Sequence, residues 1–261
     1  MSNSSLKRVF SVARNTFREA VRDRVLYNLV LFVLLLTATA VFLGDLTAGY
    51  EARVIVNMGL SAALVFGGFI AIFVGVSLVS KEIEKRTVYA ILSKPLGRGE
   101  FITGKYLGLC LTLLVNVIVM GLGITLALLY VGGGQFVSSM WCALGLIFFE
   151  LMILTATAIL FSSFSSPALS ALLTFFIFVI GHFSASLKEF ALALGSQSAR
   201  VFFESLYYVL PNLSNFAFIT PAAHGQIPSA GFTAAAIAYA LVYVIVLLSA
   251  SILIFRRRNF K

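Results

Sequence analysis

Long uncharged runs alternate with short charged segments along the chain. Residues 54–79 and 106–131 are each 26 residues without a formal charge, and residues 80–105 between them read SKEIEKRTVYAILSKPLGRGEFITGK. At 1.5 Å rise per residue, such a run reaches about 39 Å as a helix, enough to cross a bilayer core of about 30 Å with some tilt. Six spans are predicted in this way, at 25–43, 54–79, 106–131, 140–161, 168–187 and 232–255. The runs are about 20 residues or more, not the 9–11 alternating residues of barrel strands, so the expected fold class is an all-α membrane protein. The whole chain, 1–261, reads as a single transmembrane domain. No repeat between its halves rises above general hydrophobicity.

Two further elements precede and interrupt the spans. Leu6, Phe10, Ala13, Phe17, Ala20 and Val21 recur at helical spacing, with Arg14, Arg18 and Arg22 on a second stripe. This predicts an amphipathic interfacial helix over 5–24. A signal peptide cut near Ala38-Thr39-Ala40 is disfavoured, because the charged region is too long and apolar residues continue through Leu43. Residues 188–231 read as a long outer-side segment between spans five and six. Its part 200–210, RVFFESLYYVL, reads as a helix dipping into the interface, and Pro211, Pro221 and Pro228 break up the stretch beyond it.

Composition agrees with this pattern. Hydrophobic residues make up 60% of the 261 and charged residues 11%, against about 25% charged in a soluble domain. Net charge is +9, and its placement decides its meaning. Sixteen Lys and Arg fall on one side of the predicted topology and three, Arg53, Lys188 and Arg200, on the other. The bias places both termini and the 80–105 island in the cytoplasm and makes nucleic acid an unneeded partner. Cys110 and Cys142 fall in apolar spans near opposite faces, too far apart for a disulfide, and no Cys or His spacing suits a metal.

Few residues offer chemistry. Gly99-Glu-Phe-Ile-Thr-Gly104-Lys105 matches the front of a phosphate-binding loop, but Tyr106 stands where a Ser or Thr should hold Mg²⁺, and a membrane span comes next. No cofactor is expected on this chain, and it is not expected to be an enzyme by itself. Glu150 lies mid-span, where a charge costs about 2.5–3.5 kcal/mol on insertion scales. It reads either as a cavity-lining or gating carboxylate or as a neutral acid bonded to a neighbouring helix. His182, near the outer end of span five, reads as an interface histidine, with a site role as the sharper alternative. The glycines Gly67, Gly68, Gly75, Gly121 and Gly123 read as close-packing points between helices.

The island carries a resemblance. Lys81-Glu82-Ile83-Glu84-Lys85-Arg86-Thr87, then Leu92-Ser93-Lys94-Pro95, then Arg98, Glu100-Phe101 and Gly104-Lys105 resemble the cytoplasmic loop of ABC-2 type transporter permeases. The likeness is greatest to the subgroup associated with multi-copper enzyme maturation. Arg86 stands where many relatives have Gly. Residues 13–19, ARNTFRE, and Leu210-Pro211-Asn212-Leu213 are also similar. The resemblance implies a type V, ABC-2 exporter-like membrane subunit in the inner membrane. It would work as a homodimer with two copies of a separate ABC ATPase that binds ATP and Mg, with an outer-side accessory protein as a further candidate partner. It implies that a short coupling helix in this loop docks on the ATPase, with Glu82, Glu84, Arg86, Thr87, Tyr89, Leu92, Pro95 and Arg98 as contact residues. A helix of about two turns over 84–92, ended by Pro95, is consistent with this. A gradient-driven carrier and a non-transporting scaffold or assembly factor are the competing classes. The substrate is not legible.

Overall fold

The computed structural model describes residues 3–21, 49–84, 97–184 and 210–257, with isolated positions between 31 and 42 and between 197 and 207. The described residues form helices and turns, with no strand among them. In chain order, α1 is Asn3–Ala20, α2 Glu51–Glu84, α3 Arg98–Tyr130, α4 Val137–Ser162, α5 Pro167–His182, α6 Ile219–Ala223 and α7 Ala230–Arg257, with 3₁₀ turns at Gly134–Phe136 and Leu213–Phe216.

Four helices are long and apolar enough to cross a membrane, over Glu51–Ser77, Arg98–Tyr130, Gly134–Ser162 and Ala230–Phe255. They correspond to four of the six predicted spans. α5, predicted as 168–187, is helical over Pro167–His182 and turns at Phe183; residues 185–187 of the prediction lie outside the described residues. Its 16 residues reach about 24 Å, short of a 30 Å hydrocarbon core. The first predicted span, the 84–92 helix beyond Glu84, and most of 200–210 lie outside the described residues.

α4 is the centre of the bundle. It is apolar around most of its surface and is the most buried of the four long helices. One face, with Leu144, Ile147, Leu151 and Leu154, packs into a cluster with α2 and α3. Another, with Leu146, Ile153, Ala156 and Ile159, packs toward α3, α7 and the 213–216 turn. Glycines allow the closest approaches. A Cβ on Gly67 would lie 2.6 Å from Leu151, on Gly75 3.0 Å from Ala158, and on Gly121 2.8 Å from Trp141. These glycines are helix-packing points, in line with their sequence positions. α7 is buried along one stripe, Ala236, Ala240, Val244, Ser251 and Phe255, while Val242, Ile245, Val246 and Leu253 face outward.

The helices alternate in direction. α6 closes the end where α2 begins and α3 gives way to α4: Ser139 Oγ donates to Ala222 O at 2.9 Å. The opposite end gathers α1, the start of α3 and the end of α7, where Phe101 and Phe255 stack with centroids 6.2 Å apart. This second end is the island end. Both cysteines are free, Cys110 toward the island end and Cys142 in the first turns of α4 toward the other.

Candidate functional site

At the island end, α2 runs unbroken to Glu84 and α3 begins at Arg98. Glu82 and Glu84 therefore lie on the last helical turn of α2. Arg86, Thr87, Tyr89, Leu92 and Pro95 lie outside the described residues. Arg98 opens α3, and its Nη1 donates to Phe255 O at 3.2 Å, tying the start of α3 to the end of α7.

The first turns of α3 are also a socket for α1. Glu100 accepts from Ser5 Oγ at 2.5 Å, Arg8 Nε at 3.0 Å and Arg8 Nη2 at 2.9 Å. Its carboxylate also accepts the Gly97 N–H at 3.1 Å, capping the helix it belongs to. The two-pronged Arg contact matches the geometry of a carboxylate. The apolar run of α3 starts only at Tyr106, so Glu100 stands outside it. The Arg8 guanidinium, then the Ser5 hydroxyl and the Gly97 N–H, hold its carboxyl well below the usual range, at about 2.

One and two turns further, Gly104 and Gly108 let α1 lie directly on the α3 backbone. A Cβ on Gly104 would sit 2.6 Å from Val12 Cβ, and one on Gly108 2.5 Å from Ala13 O. The buried stripe of α1 is Val9, Ala13, Thr16 and Ala20, spaced as one helix face. Lys105 lies between the two glycines and is only 2% exposed. Its Nζ is 3.6 Å from Glu19 Oε2 and 5.7 Å from the Phe101 ring centroid. The last residue of the 80–105 island is therefore covered by protein. The covering helix comes from about 90 residues earlier in the chain, and it encloses Lys105. The small-x₃-small spacing of Gly104 and Gly108 is visible in the sequence, but there it overlaps the failed phosphate loop, which masks its packing role. Leu6 and Phe10 of α1 remain exposed, Phe10 at 71%, next to exposed Arg14 and Arg18.

Toward the other end, Glu150 of α4 is buried, and its Oε1 lies 3.1 Å from Nε2 of His182 at the end of α5. Nothing in the sequence pattern pairs these two residues. His182 is held from the other side as well, with Nδ1 2.8 Å from Phe178 O. The 210–216 segment lies over this place: a Cβ on Gly181 would be 2.7 Å from Leu213 Cγ and 2.9 Å from Pro211 O. Asn212 is its hub. Its Oδ1 accepts from Ser184 Oγ and Ser214 Oγ, both at 2.5 Å, and its N–H donates to the Tyr239 hydroxyl at 2.8 Å. Asn212 belongs to the Leu210–Leu213 stretch singled out in the sequence, and its bonds tie α5 to α7. No cluster of three or more metal-ligating side chains occurs among the described residues.

Four bilayer-length apolar helices, one of them enclosed by its neighbours, with charge gathered at one end, define a multi-span α-helical membrane protein. The family model described as "ABC-2 family transporter protein" matches residues 10–260, nearly the whole chain. The chain belongs to this family, whose members are membrane components of transporters and not themselves catalytic. No curated protein matches it.

Proposed function

We propose that this chain is the permease subunit of an ABC exporter of the ABC-2 type, driven by a separate ATPase that docks on residues 82–95. One observation carries the reading. α2 and α3, the two helices that flank the island, are continuous over 34 and 33 residues, about 50 Å each, some 20 Å more than a hydrocarbon core. A push on the segment between them would reach the membrane through two unbroken rods. Arg98 and Glu100 would spread it to α7 and α1. Nucleotide-driven approach of two ATPases would tilt these rods in two copies of the chain and open a path between the copies. The membrane is the cytoplasmic one, with both termini and the island inside. The subgroup is the one tied to multi-copper enzyme maturation, and the substrate is left open.

The test is co-purification. The tagged chain should retain an ABC ATPase in detergent, and Glu82→Lys/Glu84→Lys should lose it and lose transport while still inserting in the membrane. Retention of the ATPase by the double variant would sink the docking reading. A gradient-driven carrier is favoured by one observation only, the pairing of two ionisable groups, Glu150 and His182, among apolar helices. Transport into vesicles without any ATPase would select it.

A further inference from the structure

The coupling scheme leaves Glu150 and His182 unused. Glu150 is 1% exposed and the His182 side chain 23%. Glu150 Oε1 and His182 Nε2 face each other at 3.1 Å, and neither atom has a hydrogen-bond partner among the described residues. The other ring nitrogen, Nδ1, lies 2.8 Å from Phe178 O. A carbonyl oxygen can only accept, so Nδ1 carries a hydrogen. In a neutral imidazole Nε2 then presents a lone pair, and an ionised carboxylate presents lone pairs as well. Two lone pairs do not meet at 3.1 Å in an apolar setting. One proton relieves this conflict, held either on the acid, facing a neutral ring, or on the ring, facing a carboxylate. The two forms contain the same number of protons.

We infer that Glu150 and His182 form a binding site for one proton, shared between α4 and α5 and reached through the imidazole. Loss of that proton leaves a buried carboxylate against a lone pair, and the contact is pushed apart. A second proton leaves a buried cation with no counter-charge beside it. The contact is closed with one proton and opens with none or two. The elements packed around α4 and α5 bring few other titratable groups. α2 has its charges only at its two ends, and α6 and the 213–216 turn have none. α3 brings Lys105, Tyr106 and Cys110, with Arg98, Glu100 and Tyr130 at its ends, and α7 brings Tyr239 and Tyr243, with arginines at its end. Glu204 and Tyr207 stand in the segment before Asn212, whose side chain reaches Tyr207. Apart from Glu150 itself, none of the acids is within ion-pair distance of His182 among the described residues. Resting on the permease reading, the consequence is that spreading α4 from α5 during transport moves a proton on or off. Turnover then follows the pH of the face where His182 lies.

The chain supplies its own control. It has two histidines, and His224 repeats the Nδ1 contact, 2.9 Å from Thr220 O. It is exposed and has no carboxylate within ion-pair distance among the described residues. The full chain, labelled with ¹⁵N-histidine and held in lipid nanodiscs, is titrated by NMR. The expected result is two transitions for His182, on the acid and alkaline sides of a one-proton plateau. E150Q should remove the alkaline transition and leave the acid one. A single His182 transition in the unaltered chain, or an alkaline transition that survives E150Q, would overturn the proposal. The first measurement needs no variant, so it stands even if E150Q folds poorly. The chain is measured without nucleotide or ATPase, so this result can fail while docking on 82–95 holds, and the reverse.

Discussion

Glu100 and Glu150 are the same side chain in two opposed settings. Glu100 stands at the edge of the bundle, takes four hydrogen bonds, and neutralises its charge against Arg8. Glu150 is surrounded by apolar helices and meets a single imidazole nitrogen. Glu100 is held ionised by permanent donors, so it fastens α1 to α3 at any ordinary pH. Glu150 has a partner that can gain or lose a proton, so its contact is conditional. A carboxylate becomes a fixed clamp or a switchable one according to what it faces. Both clamps sit beside glycine contacts, Gly104 and Gly108 at one end and Gly181 at the other.

The contrast can be attacked from either side. The largest effect is expected at the buried pair. Glu150→Ala, which strips His182 of its partner, should cost about 3–5 kcal/mol, read as thermal unfolding in lipid. His182→Ala on top of it should add far less than it costs alone, and additivity of the two would remove the claimed coupling. Next is the glycine contact. Gly108→Leu must displace a backbone oxygen of α1, an overpacking cost of about 1–3 kcal/mol or more. Trypsin should then cut after Arg14 or Arg18, while the other helices remain protected. Cleavage no faster than in the unaltered chain would show that α1 is held by its charges alone.

The smallest effect concerns acid. The Glu100 carboxyl is lowered from 4.5 to about 2 in the folded chain, so its contribution is present above 4.5 and is lost as pH falls through about 2. Hydrogen exchange in α1 should stay slow down to about pH 4 and quicken below it. Glu100→Gln should remove that pH dependence. Quickening already at pH 6 would assign the effect to another group.

The helices are legible in the sequence because span length and charge are read one residue at a time. Three of the predicted spans lie inside described helices and a fourth, 106–131, overruns α3 by one residue; at the island end α2 and α3 run on past their predicted spans, by five and eight residues. That extension is hidden by a rule that stops spans at the first charge. The rule puts Lys105 in water, although its cover, α1, comes from Ser5 to Glu19. The Glu150–His182 pair is hidden for a related reason. Each residue looks isolated, and only the fold-back of α5 on α4 brings them to 3.1 Å. Asn212 is marked by its motif, but its partners Ser184 and Tyr239 carry no local signal.

The clamp between α1 and α3 also bears on how the chain is made. Ser5 and Glu100 are 95 residues apart, and synthesis proceeds at about 5–20 residues per second. α1 therefore leaves the ribosome about 5–20 s before its socket exists. For that interval Val9, Ala13, Thr16 and Ala20 have no protein to cover them. Leu6 and Phe10, which stay uncovered in the finished fold, offer a place to wait: an apolar edge that can rest on lipid beside the insertion machinery until residues 98–108 arrive. The order of synthesis thus gives the exposed apolar side chains of α1, Leu6 and Phe10, a task that the mature structure alone does not require.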